Sequence, residues 1–104
     1  MSKSLPDWLI LCIWRALLGE IYPSIRAIAI ALSRDGVLMI RYYLDRYPIE
    51  IDYESIEVVA TNISASTGRE LIARIEVDCQ YDRSPILTLD FLDGFIYCRR
   101  EYDL

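Results

Sequence analysis

Four carboxylates lie within eight residues of one another, Glu50, Asp52, Glu54 and Glu57, and Tyr53 sits among them. On a helix, the spacings of four and three put Glu50, Glu54 and Glu57 on one face. Two carboxylates can share acid–base work only where their surroundings drive their pKa values apart. Among Glu50, Glu54, Glu57, Asp78 and Asp82, nothing in the sequence supplies a cleft or selects a pair. The chain has no histidine, so the commonest general base and metal ligand is missing. No paired-cysteine zinc pattern, phosphate-binding glycine loop, dinucleotide fingerprint or nucleophile elbow is present. No catalytic, cofactor-binding or metal-ligating residue is therefore assigned, and a non-enzymatic role is expected. Recognition is what these residues offer. The helix dipole stabilises carboxylates in a first turn by about 0.3–1 kcal/mol, which accounts for Glu50 and Asp52. Glu57 lies beyond its reach, and like charges at these spacings cost about 0.2–0.5 kcal/mol each. With no Lys or Arg between residues 47 and 68, the stripe Glu50, Asp52, Tyr53, Glu54 and Glu57 reads either as a solvated face or as a binding surface.

The charge of the whole chain bears on the partner. The net charge is −5. Residues 1–52 hold six acids and six bases, and residues 53–104 hold ten acids and five bases, so the excess lies in the second half. An acidic surface repels phosphate backbones and steers basic proteins, so a protein partner is expected and direct nucleic-acid binding is not. A second acidic run, Asp78, Asp82, Asp90 and Asp93, competes with the first as a contact surface. Cys12, Cys79 and Cys98 are odd in number and set among apolar residues, which suits buried thiols in a reducing cytoplasm.

The elements that position these groups follow from periodicity. One domain is expected over residues 1–104. Leu5 to Leu18 is almost continuously apolar. It is shorter than the ~20 residues of a membrane span and lacks a cleavage site, so no membrane partner is expected. It reads as a helix, with Ser4 and Asp7 as a capping box, Pro6 in the first turn and Gly19 at its end. Its apolar residues exceed one face, so Trp8, Leu11, Cys12 and Ala16 are placed toward the sheet and the others against a second helix or partly in solvent.

Residues 25–46 read as two alternating strands around Asp35-Gly36. A two-residue turn would set Ala31 opposite Ile40, Ala29 opposite Tyr42 and Ala27 opposite Leu44. The alanines would then share a face with Leu38, Ile40, Tyr42 and Leu44, and helices would pack there. The other face, with Ile28, Ile30, Met39 and Tyr43, would be a mixed surface on which a homodimer or adaptor could form. Glu50 to about Ser66 reads as a second helix with Ile56, Val59, Ala60 and Ile63 inward. Leu71 to Tyr81 reads as a strand, residues 86–91 as a short strand or extended loop, and Phe95 to Glu101 as a last strand. The expected fold is α+β, in the order α-β-β-α-β-(β)-β, an antiparallel sheet of four to five strands with two helices on one face.

Three stretches, RALLGEIYPSIRAI from Arg15 to Ile28, RYYLDRYPIE from Arg41 to Glu50 and VVATNISAS from Val58 to Ser66, with YCRRE from Tyr97 to Glu101, carry a resemblance. Together they resemble small bacterial immunity proteins of contact-dependent growth inhibition and related polymorphic toxin systems. Where the group is polar and acidic, this chain has Ile49 and Ile51. The resemblance implies a cytoplasmic antidote that binds the C-terminal domain of a cognate toxin one-to-one, often a nuclease. It brings no functional residues with it. A nuclease must be basic to hold its substrate, so the acidic stripe of residues 50–57 becomes the expected toxin contact. A self-associating adaptor and a small hydrolase are the alternatives.

Overall fold

In the computed structural model, which describes residues 5–101, the turn at Ser33–Gly36 sets the register of the sheet around it. Gly36 N–H donates to the Ser33 carbonyl at 3.1 Å and Ser33 N–H to the Val37 carbonyl at 3.0 Å, while Val37 N–H donates to Ser33 Oγ at 3.0 Å. Gly36 has φ 79°, the left-handed conformation that closes a three-residue hairpin loop. The loop is thus one residue longer than the expected Asp35-Gly36 pair. β1, Ile25–Leu32, and β2, Val37–Leu44, consequently pair Ile30 with Ile40, Ala29 with Arg41 and Ala31 with Met39.

A one-residue slip turns every side chain of one strand to the opposite face. Ile28 and Ile30, rather than the alanines, share a core with Leu38, Ile40, Tyr42 and Leu44. The helices cover that face, which corrects the expectation of an alanine-rich helix seat. A further register shift between Ile25 and Ala27 leaves Arg26 as the extra residue of a bulge.

Two helices supply the other half of this core. α1, Asp7–Ala16, buries Leu9, Ile13 and Ala16, whereas Trp8 and Leu11 are 36% and 51% exposed. Of the expected inward set, Ala16 is buried and Cys12 partly so, while Trp8 and Leu11 turn outward. An all-round apolar helix offers no unique face to its sequence pattern. Ser4, the expected cap, lies outside the described residues. Gly19, with φ 78°, lies in the turn that follows the helix. α2, Glu50–Ser66, buries Ile56, Val59, Ala60 and Ile63, the set its spacing predicts.

β3, Arg74–Tyr81, and β4, Gly94–Cys98, complete a four-stranded sheet in the order β3-β2-β1-β4. The α+β class and element order agree with expectation. The sheet, however, is mixed: β3 runs parallel to β2, because a crossover through the 17-residue α2 brings the chain back to its starting end. β1 pairs antiparallel with β2 and with β4.

No strand forms at residues 86–91. Ile86–Thr88 is a 3-10 turn within a strap that must pass from β3 at one edge to β4 at the other. The strap crosses the sheet face away from the helices, where Leu89, Ile86 and Leu92 pack with Phe95 on Ala27, Ala29 and Tyr43. The small alanine side chains admit it. Tyr43 Oη–H donates to the Asp90 carbonyl at 2.8 Å, and Asp93 N–H to the Ile30 carbonyl at 2.8 Å. The expected adaptor surface does not exist as a face: Ile28 and Ile30 lie under the helices and Tyr43, only 2% exposed, under the strap. Among the described residues no helix is long and apolar enough to cross a membrane.

Candidate functional site

Tyr47-Pro48 ends the chain segment leaving β2, and Ile49, with φ −125° and ψ 175°, is the extended residue from which α2 starts. Its N–H donates to Asp52 Oδ2 at 2.8 Å, so the third helical residue caps the terminus. Asp52 does more than cap. Arg46 grips it with Nη1 at 2.6 Å and Nη2 at 3.0 Å, and Tyr22 Oη–H donates to Oδ1 at 2.5 Å. The residue has no exposed surface. Burial by itself raises a carboxyl, but the hydrogen bonds from Arg46, Tyr22 and Ile49 outweigh it and hold Asp52 below the ordinary carboxylate value. This corrects the expectation for Asp52: it is a structural anchor joining the α1–β1 connection, the β2–α2 connection and the helix start, and it has no surface to offer a partner.

The other expected site residues remain on the outside. Glu50, Glu54 and Glu57 are exposed, and Tyr53 is 45% exposed. Among the described residues none of these three glutamates forms an ion pair. Exposed Ile51 and Val58 interleave with them, so the outer side of α2 is acidic and apolar at once.

The competing acidic run is used within the fold. Asp78 is paired with Arg41 at 2.8 Å and accepts from Gln80 Nε2 at 2.8 Å. Asp82 accepts the Ser84 N–H at 2.8 Å, which, with the Ser84 side chain, holds its carboxyl below the usual range. Asp90 accepts the Leu92 N–H at 2.9 Å, and Asp93 accepts that of Leu32 at 2.9 Å. These four carboxylates shape β3 and the strap. The geometry thereby ranks the α2 stripe first as an uncompensated surface.

Sequence reasoning missed one feature and placed a second only in part. One is an interlocked cluster at the chain's end: Arg26 Nε and Nη2 hold Glu101 at 2.8 and 2.7 Å, and Arg99 bridges Glu101 to Asp45 at 2.8 Å each. Arg26 chiefly, then Arg99, pull the Glu101 carboxyl down to about 2. Arg26 is 4% exposed; only the unusual arginine inside an apolar strand run hinted at a buried partner. The other is the outer side of α1 and of the turn after it, where Trp14 and, in the turn, Leu18 join Trp8 and Leu11 in solvent. The surplus of apolar residues over one helical face was its signal. The thiols are mixed: Cys79 is buried, Cys12 half-buried and Cys98 exposed, the last against expectation. Burial pushes the Cys79 thiol up to about 12, which keeps it protonated and unreactive.

With this geometry in view, comparison with protein families finds a match to the model described as MafI2 immunity protein, over residues 6–101. Comparison with curated proteins finds no match.

Proposed function

Because this chain belongs to the MafI2 immunity protein family, we propose that it neutralises a cognate toxin domain by binding and occluding it, without turnover, and that Glu50, Glu54 and Glu57 with Tyr53 form part of the contact. The observation that carries this reading is the row of exposed carboxylates on α2, unpaired among the described residues, in a chain of an immunity family. An acidic helix face meets a basic protein surface. A domain that cleaves RNA or DNA has such a surface, since it must hold a polyanion. The partner is accordingly the C-terminal nuclease domain of a contact-dependent growth-inhibition toxin, bound one-to-one in the cytoplasm. Unpaired surface charge accelerates encounter and excludes wrong partners, which suits an antidote that must engage its toxin before damage accrues.

The test is growth. Cells expressing the toxin domain encoded beside this chain arrest, and co-expression of the chain restores growth with a one-to-one complex recoverable from the lysate. A toxic neighbouring domain that is neither bound nor countered contradicts the proposal.

A further inference from the structure

Between α1 and α2 runs an open groove of about 500 Å³. We infer that this groove receives a bulky apolar side chain of the toxin domain, flanked on the toxin by basic residues that reach Glu54 on the adjoining helix row. The inference rests on the preceding reading and extends it from a charged stripe to a two-part interface.

Trp8, Leu11 and Cys12 of α1 form one wall, with Arg15 at the rim, and Asn62 and Ser66 of α2 form the other. Two polar groups of its walls already satisfy each other, Cys12 Sγ lying 3.2 Å from Ser66 Oγ. An apolar occupant therefore strands neither of them. Trp8 and Leu11 are 36% and 51% exposed, an unusual position for two large apolar side chains that point at the same space. Interface energy concentrates on such aromatic anchors, with a polar rim around them.

The rim is on the same helix. Glu54, Val58 and Asn62 follow one another at intervals of four, so they form a single row along α2. Glu54 lies about 12 Å from the Asn62 wall at 1.5 Å rise per residue. A standard interface, about 800 Å² per partner, spans both. Val58, 45% exposed, gives the row an apolar step between the carboxylate and the groove.

Charge selects the occupant. In a two-fold pair of this chain the same patch faces itself, which brings together two chains of net charge −5 and their two Glu54–Val58–Asn62 rows, with Arg15 the one base lining each groove among the described residues. Like charges so placed oppose the pair. A basic partner relieves the same repulsion.

The test titrates the purified chain with a catalytically inactivated form of the neighbouring toxin domain. Leu11→Glu places a charge in the groove and Asn62→Trp fills it, both at exposed positions. Each weakens binding at least tenfold while the thermal midpoint stays at the wild-type value. Leu18→Glu, exposed but outside the groove, leaves affinity within about twofold. Wild-type affinity in both groove variants overturns the inference and, if Glu54→Lys with Glu57→Lys still weakens binding, leaves the preceding reading standing. No binding by the wild-type chain overturns both. A dimer that the two groove variants dissociate also overturns the inference, with the second copy as the occupant.

Discussion

A carboxylate with no exposed surface must be ionised to use the donors of Tyr22, Arg46 and the Ile49 N–H at once, and this ties the stability of the protein to Asp52 and to pH. Its pKa is depressed in the folded state. The stabilisation is therefore complete above the unfolded carboxylate value, about 3.9, and is lost as pH falls through the lower folded value. Glu101, held at about 2 against an ordinary 4.5, acts in the same direction over the same range. Urea midpoints are expected to be level from pH 7 to about 5 and to fall steeply below about 4. Asp52→Asn is expected to cost about 3 kcal/mol at pH 7, the low end for breaking a buried pair because Arg46 is partly exposed, and to flatten the acid limb. A variant as stable as the wild type at pH 7 would contradict this account of Asp52. Its place in the first turn of α2 was legible, since the helix dipole favours an acid there. Burial was not, because Tyr22 and Arg46 arrive from other elements.

At the scale of elements, the hairpin turn and the strap decide which faces are covered. Asp35-Gly36 suits a two-residue turn, but Gly36 equally serves as the left-handed residue that closes a three-residue loop. Both strands are apolar on both faces, so alternation could not choose between the two registers. The structure resolves it through Ser33, whose hydroxyl accepts the Val37 N–H. A Cβ at position 36 would meet the positive φ of 79° and the Ala73 nitrogen at 3.2 Å. Gly36→Ala is therefore expected to lower stability by about 1–2 kcal/mol in urea titration. The strap was illegible for a different reason: its apolar residues do not alternate, because Ile86, Leu89 and Leu92 pack on Ala27, Ala29 and Tyr43 while Leu87 and Phe91 stay exposed. Leu89 is 6% exposed and Leu87 95%. Leu89→Ala should thus cost about 2–4 kcal/mol and speed hydrogen exchange at the Asp93 N–H, while Leu87→Ala stays within about 0.5 kcal/mol. Equal effects at the two positions would contradict the strap's packing. α2 was legible almost to the residue, since its four inward apolar residues keep strict helical spacing.

For the whole molecule, the α+β order was legible from the succession of periodicities, and the parallel placement of β3 follows once α2 is seen as a crossover. Partner recognition was legible only as a surplus of acid and of apolar surface. The fold divides that surplus, spending Asp52 and the Asp78–Asp93 run on internal contacts and leaving Glu50, Glu54 and Glu57 without an ion pair among the described residues. The proposed role makes this division measurable. The most direct measurement is the association rate of the purified chain with the neighbouring toxin domain as ionic strength rises, for the wild type and for Glu54→Lys with Glu57→Lys. A wild-type rate that falls steeply with salt, and a slower variant with a flatter dependence, is the predicted result. Equal, salt-independent rates for the two would contradict it.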